Sequence, residues 1–244
     1  MSQEALGTKI GFSKSQVAMV ERGQRPPKGN FIPGADESLG ARGALVAVAP
    51  KLCVNALPHW FTGFAEEESE AVARHEYENQ VMPGLLQTGA YARAVLSGRY
   101  PTYDDEDVEA KVAARLARQS LLSRKRLPDI SFVLETIALT RPIGGHRVRK
   151  EQLLHLLEVT QLRHVKIQLM SPERQSHPGL DGPFVLLENA ERRQLAYVEG
   201  QGGSLYVTQQ PDLGNLFGKY GLLRAQAYSP EESLEMIEKM AEES

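Results

Sequence analysis

The chain has 244 residues, a formal net charge of −3, 41% hydrophobic residues and one cysteine. This composition fits one large globular domain or two, and the charge excludes a protein that binds nucleic acid along its whole surface. The single cysteine, Cys53, excludes an intramolecular disulfide, and no apolar run approaches the ~18 residues of a membrane helix.

The first 23 residues have the pattern of two short helices joined by a tight turn. Ser2 and Ser13 are N-cap residues, since a serine hydroxyl accepts a hydrogen bond from a free N–H of the first helical turn. Gly11 permits the positive φ that a sharp turn needs, and Gly23 is expected to end the second helix. The start is polar and unlike a signal peptide, so we expect a cytoplasmic protein.

The second of these helices is predicted to carry side chains suited to a DNA groove. Val17 and Val20 form its inward face, which leaves Lys14, Ser15, Gln16 and Met19 to address base edges. Arg22 and Arg25 follow, where phosphate contacts are expected. The simpler alternative is a helical hairpin with a solvated basic edge.

The charge along the chain is unevenly distributed. Residues 1–51 contain seven Lys and Arg against four Asp and Glu, which gives +3, and the remainder carries −6. A local basic region is the distribution that DNA binding requires. We therefore expect a small helical segment over 1–50 and a larger domain over 55–244.

The N-terminal motif resembles the Xre/Cro-type helix-turn-helix of phage and bacterial repressors. The similar residues are Ser2-Gln3-Glu4, Leu6, Ile10-Gly11, Ser13, Ser15, Val17 and Val20-Glu21-Arg22-Gly23. The resemblance implies a homodimer that binds double-stranded DNA through the second helix. Gly7 stands where the family usually has alanine, and Pro33-Gly34 interrupts the segment expected to form the last helix.

The family's first helix has no counterpart before Met1. Two explanations follow from the sequence. Either the coding region begins upstream and the motif is incomplete here, or the motif is a relic in a protein whose work is done elsewhere.

The rest of the chain predicts an α+β domain with a mostly antiparallel sheet. We expect helices over 53–100, including an acidic helix from Glu66 to Glu78, and a further helix with Val108, Val112 and Leu116 inward. Strands are expected to begin at Ile130, and period-two alternation predicts another over Val165–Leu169. Three more strands and a final capped helix at Ser229 complete the domain.

This larger part resembles the uncharacterised domain that follows Xre-type motifs in many actinomycete regulators. The similar residues are Val81 to Thr88, Tyr91 to Leu96, Arg118-Gln119, His177-Pro178-Gly179 and Tyr197-Val198-Glu199. The resemblance implies a developmental or antibiotic-related regulator, encoded beside a small acidic partner protein.

Signals for catalysis are weak, so no catalytic, cofactor or metal site is predicted. Cys53 is expected to be a buried thiol, and His155, His164 and His177 are expected at the surface or in loops. Glu76 and Glu78 are interpreted as a solvated helix end, and Arg115, Arg118 and Arg124 as a solvated basic face. The loop from His177 to Gly182 is the one segment that could line a pocket.

The sequence therefore predicts a DNA-binding transcriptional regulator with a C-terminal domain that senses a small-molecule effector or binds a protein. The alternative is a repurposed Xre-like protein that has lost DNA binding and uses the C-terminal domain as a small-molecule or catalytic pocket.

Overall fold

A computed structural model describes residues 1–22, 27, 29–47, 59–200 and 203–244. The chain divides into two compact units, Met1–Thr62 and Gly63–Ser244. Cys53 and Arg25 lie outside the described residues. Within the described ranges, every helix is too short or too polar to cross a bilayer.

Among the described residues of the N-terminal unit are the short helices α1 (Gln3–Ile10), α2 (Lys14–Glu21) and α3 (Phe31–Leu39). They pack around Leu6, Val17, Phe31 and Ala35, with the Phe12 ring edge-on to Phe31 at 5.1 Å. Helix α3 includes Pro33-Gly34, which was expected to interrupt it. Proline is tolerated there because the N–H groups of a helix's first turn have no intrahelical acceptor.

The C-terminal unit is built on one six-stranded mixed sheet. Its strands are β1 (Ala73–Glu78), β2 (Asp129–Glu135), β3 (Val165–Met170), β4 (Phe184–Glu188), β5 (Gln194–Gly200) and β6 (Gly203–Val207). The order across the sheet is β3-β2-β1-β4-β5-β6. Strands β1, β2 and β3 are parallel, while β1–β4, β4–β5 and β5–β6 pair antiparallel, which confirms an α+β fold with a mostly antiparallel sheet.

Helices cover both faces of this sheet. They are α4 (His59–Glu70), α5 (Gly89–Ser97), α6 (Asp105–Ala117), α7 (Thr136–Thr140), α8 (His146–Thr160), α9 (Asp212–Gln226) and α10 (Pro230–Glu242). Short 3₁₀ turns lie at Gly84–Leu86, Arg118–Ser123 and Pro178–Asp181.

The side chains of β2 alternate between two hydrophobic cores, one on each face of the sheet. Ile130, Phe132 and Leu134 pack with residues of α5, α8 and α10, whereas Val133 packs with residues of α9. The strand is buried on both faces, as parallel strands between helices are. A smaller cluster of Ala92, Leu96, Val108 and Val112 joins α5 to α6.

The expected helix from Glu66 to Glu78 is wrong in its second half. Helix α4 ends at Glu70, and residues 73–78 form β1 at the centre of the sheet. The charged residues Arg74, Glu76 and Glu78 alternate with His75 and Tyr77, which is strand periodicity. Their charge concealed a buried strand, because such residues are rarely buried unless they are paired.

Candidate functional site

The turn between α1 and α2 is held by capping at both of its ends. The Phe12 amide donates to the Gly7 carbonyl at 2.9 Å, and Gly11 adopts a left-handed conformation with φ 79°. Ser13 begins α2 with a reciprocal capping box, in which its hydroxyl accepts from the Gln16 amide and its own amide donates to the Gln16 Oε1 atom. The start of α2 is thus defined by local hydrogen bonds.

The predicted DNA-reading residues lie along α2 with different exposures. Lys14 and Ser15 are exposed, whereas Gln16 and Met19 are half-buried. Arg22, just past the helix, is also exposed. Val17 is completely buried in the helical core, so the polar start of α2 points away from that core within the N-terminal unit.

Contacts of these side chains within the unit are weak. Lys14 Nζ lies 3.9 Å from the exposed Glu4 carboxylate, and the Ser15 hydroxyl lies 3.0 Å from that of Ser13. Exposed pairs of this kind contribute about 0–1 kcal/mol and can be exchanged for a stronger anion such as phosphate. Gln16 is more constrained, because the cap uses its carboxamide oxygen and only its amide nitrogen can address a ligand.

A buried ion-pair ladder in the C-terminal unit replaces the solvated acidic helix end that the sequence suggested. Arg74 donates to Glu68 at 2.9 Å and to Glu76 at 2.6 Å, and all three side chains are at least 90% buried. Arg118 closes the ladder with two further bonds to Glu68 at 2.7 and 2.9 Å. Two arginines meet two carboxylates, so the ladder is electrically neutral.

The expected solvated basic face of α6 and the residues after it is therefore wrong. Arg115 donates to the Gln87 carboxamide at 2.8 Å, and Arg124 donates to the backbone carbonyls of Ser69 and Ala71. With Arg118 in the ladder, these guanidinium groups are structural anchors between elements.

Glu78, at the carboxyl end of β1, has an unusual acidity. Burial, with Glu76 nearby, raises the pKa of Glu78 to about 8. A carboxyl group of this kind retains its proton near neutral pH. The same strand therefore carries Glu76, which is paired with Arg74, and Glu78, whose pKa is raised, two residues apart.

A second polar cluster joins the ends of β1 and β2 to the loop before β4. The Tyr77 hydroxyl donates to Glu135 Oε1 at 2.8 Å, and His177 Nε2 lies 3.3 Å from the same oxygen. The Gly179 amide donates to His177 Nδ1 at 3.2 Å, and the opposite ring nitrogen, Nε2, faces Glu135. Burial, with the bond to Glu135, raises the pKa of Tyr77.

The loop that carries His177 is held tightly. A Cβ atom at Gly179 would lie 2.3 Å from the Tyr77 ring, so only glycine fits against this tyrosine. Asp181 forms an ion pair of 2.5 Å with Lys219 of α9. His177 lies in this loop, as the sequence predicted, and its side chain is 7% exposed.

A third polar group links β1, β2 and α9. The Ser131 hydroxyl lies 2.7 Å from His75 Nδ1 and 2.9 Å from the Tyr220 hydroxyl. Burial is the main cause that lowers the pKa of His75. Sequence reasoning missed both this group and the Glu135 cluster, since their directly bonded members are up to 89 residues apart and share no local motif.

None of these groups has the composition of a metal centre. In the part of the chain that the structure describes, no three His, Cys, Asp or Glu side chains gather as metal ligands. In the Tyr77–Glu135–His177 cluster, two side chains contact the same carboxylate oxygen, and α2 has an exposed lysine and an exposed serine in its first turn.

Comparison with known proteins identifies the larger unit. Residues 61–239 match the model of a family described as a domain of unknown function, DUF5753. No curated protein and no solved structure matched the chain. Because this match spans well over half of the chain, the protein belongs to the DUF5753 family.

Proposed function

We propose that this protein is a cytoplasmic transcriptional regulator that binds double-stranded DNA through α2. The observation that supports the proposal is the orientation of that helix: Val17 is buried among Leu6, Phe31 and Ala35, while Lys14 and Ser15 are exposed at the other side. A short helix whose polar N-terminal end is held outward by a capped turn suits the major groove.

The roles of individual residues follow from their chemistry. Lys14, Ser15, Gln16 and Met19 contact bases, and Arg22 and Arg25 contact phosphates. The Gln16 amide nitrogen is a donor, so it can bond to an acceptor such as adenine N7. The +3 charge of residues 1–51 supplies the local attraction to DNA.

The resemblance to Xre-type regulators supports two further parts of the proposal. Such proteins act as homodimers on half-sites about one helical turn apart, ~34–36 Å. The C-terminal unit then controls DNA binding by taking up a small-molecule effector or a small acidic partner protein.

The test is selection of bound sequences from a random double-stranded library by the full chain, followed by affinity measurements on the selected duplex. Wild-type protein should bind it with an affinity that falls steeply between about 50 and 200 mM salt. Gln16→Glu keeps the capping box, since glutamate also serves at this position, but places a carboxylate against the groove. We expect at least ~10-fold weaker binding without a change in melting temperature, because one lost base contact is worth about 1–3 kcal/mol.

Lys166→Ala is the matched control, because Lys166 is an exposed lysine on β3 of the other unit. It should leave the affinity unchanged. No enrichment of any sequence, or equal binding by wild type and Gln16→Glu, would refute the proposal.

The second candidate function is a protein that has lost DNA binding and works through a pocket of the C-terminal unit. The buried Tyr77–Glu135–His177 cluster favours it, because a tyrosine and a histidine contact the same carboxylate oxygen beside the loop that begins at His177. Failure of the DNA selection would shift the assignment to this function.

A further inference from the structure

The end of the antiparallel half of the sheet contains a cavity that the proposed DNA-binding function does not use. It has a volume of about 580 Å³ and lies where the β4–β5 hairpin meets the segment between β6 and α9. A volume between about 300 and 1,000 Å³ is typical of small-molecule sites. Its lining residues are Glu67, Leu187, Asn189, Arg192, Arg193, Gln194, Leu195, Thr208, Gln209, Gln210 and Leu213.

The lining combines an apolar part with hydrogen-bonding groups. Leu187 and Leu213 are 2% and 5% exposed, and Leu195 lies beside Leu187 in the strand register. Four carboxamides surround these leucines, on Asn189, Gln194, Gln209 and Gln210. A few polar groups around an apolar surface are what a site needs to orient a small organic ligand.

Several of the carboxamides are themselves held in place. Asn189 Oδ1 accepts from the amides of Glu191 and Arg193 at 3.0 Å, and Gln210 Oε1 accepts from the Gly214 amide at 3.0 Å. Gln194 Nε2 donates to Glu188 at 2.9 Å. The opposite ends of these amides, two donors and one acceptor group, are therefore oriented by the protein before any ligand arrives.

The lining contains two cationic side chains, Arg192 and Arg193, beside the carboxylate of Glu67. Each arginine has a glutamate partner, Glu188 for Arg192 and Glu191 for Arg193, and the second pair is the longer one. Arg193 is 76% exposed in its side chain and lies 3.4 Å from Glu191, which is 75% exposed. An exposed pair of this length is weak, so a ligand carboxylate can take the place of Glu191.

The backbone conformation of Arg192 also restricts where the two arginines lie. Arg192 has φ 63°, a left-handed conformation that glycine or asparagine would adopt more readily. Its guanidinium is held 2.5 Å from Glu188. A long cationic residue at a hairpin position suited to glycine is a local outlier beside the cavity.

From these observations we propose that the cavity binds a small organic acid with an apolar body and an amide or hydroxyl group. Its carboxylate pairs with Arg193, its apolar body lies on Leu187, Leu195 and Leu213, and the carboxamides bond its polar group. The proposal concerns the C-terminal unit alone and does not depend on DNA binding.

The test uses the full chain and two probes that differ at one group, which is charged in the first and neutral in the second. N-acetyl-L-leucine carries a carboxylate, an amide and an apolar side chain, and N-acetyl-L-leucine methylamide lacks the carboxylate. Each is titrated into ¹⁵N-labelled protein and followed by amide chemical shifts. We expect the acid to bind with a dissociation constant on the order of 1 mM and to shift the amides of Gln194 and Gln209.

The methylamide should bind at least ~5-fold more weakly than the acid, because it cannot pair with Arg193. Arg193→Gln should weaken the acid to the level of the methylamide. Arg147→Gln, at an equally exposed arginine of α8, is the control and should bind both probes as wild type does.

Three outcomes would overturn the proposal: no shift near the cavity with either probe, equal affinity of the acid and the methylamide, or an unchanged affinity in Arg193→Gln. Each can arise whether or not the protein binds DNA. A negative DNA selection together with the expected titration would remove the proposed function and leave this site standing.

Discussion

The turn between α1 and α2 packs closely against α1, and this close packing depends on Gly7. A Cβ atom there would lie 2.4 Å from the Phe12 carbonyl oxygen, which is backbone and cannot rotate away. Alanine is the usual residue of Xre-type motifs at this position, yet this turn has room only for glycine. Glycine at this position lowers the helix propensity of α1, but the contact with Phe12 requires it.

We expect Gly7→Ala to destabilise the N-terminal unit by up to about 2 kcal/mol. Overpacking costs about 1–3 kcal/mol, and the gain in helix propensity of about 1 kcal/mol offsets part of it. Amide hydrogen exchange in α1 and α2 would measure the change.

Gly218→Ala is the matched control, because a Cβ at this interior position of α9 would meet nothing within 4 Å. It should stabilise the protein by about 0.5–1 kcal/mol. Protection in α1 that is unchanged or increased in Gly7→Ala would contradict the packing argument.

Strand β1 is the element that organises the C-terminal unit. It lies between parallel β2 and antiparallel β4, and it carries the ion-pair ladder on one face and Tyr77 on the other. A central strand with buried charges is stable only while every charge has its partner, because an unpaired buried ion is costly.

Arg74→Met should therefore cost about 3–5 kcal/mol in the free energy of unfolding, since it leaves Glu76 without its 2.6 Å partner in the interior. Urea denaturation followed by circular dichroism measures this loss. Arg93→Met removes an exposed arginine paired with Glu109 and should cost less than about 1 kcal/mol. Similar losses for both variants would mean that the ladder adds nothing beyond surface pairing.

For the whole molecule, two partly buried groups, His75 and Glu78, impose opposite dependences on pH. The lowered pKa of His75 means that the folded state takes up its proton less readily, so stability falls as the pH drops below about 6.5. The raised pKa of Glu78 means that the folded state keeps a proton that the unfolded chain releases, so stability falls as the pH rises from about 4.5 towards about 8.

Glu78→Gln should remove the second of these dependences. The stability of the variant relative to wild type is expected to rise by about 4 kcal/mol between pH 4.5 and pH 8, with no advantage near pH 4.5. Thermal unfolding across this pH range provides the measurement. An equal difference at every pH would show that the proton on Glu78 plays no part.

Local patterns allowed only part of the candidate site to be predicted. The caps Ser2 and Ser13, the turn at Gly11 and the burial of Val17 were predicted correctly, because each depends on residues within a few positions of one another. The roles of Lys14, Ser15, Gln16, Met19, Arg22 and Arg25 in binding DNA stay predictions.

The sequence by itself determined the two-helix turn, the α+β class and the strands that contain uninterrupted apolar or alternating residues, since these follow from hydrophobic period and local hydrogen bonding. Only the tertiary structure decided that residues 73–78 are a central strand and that Arg74, Arg115 and Arg118 are internal. The physical reason is that a charged side chain is buried only when distant parts of the chain supply its partners, and those partners have no signature in the local sequence.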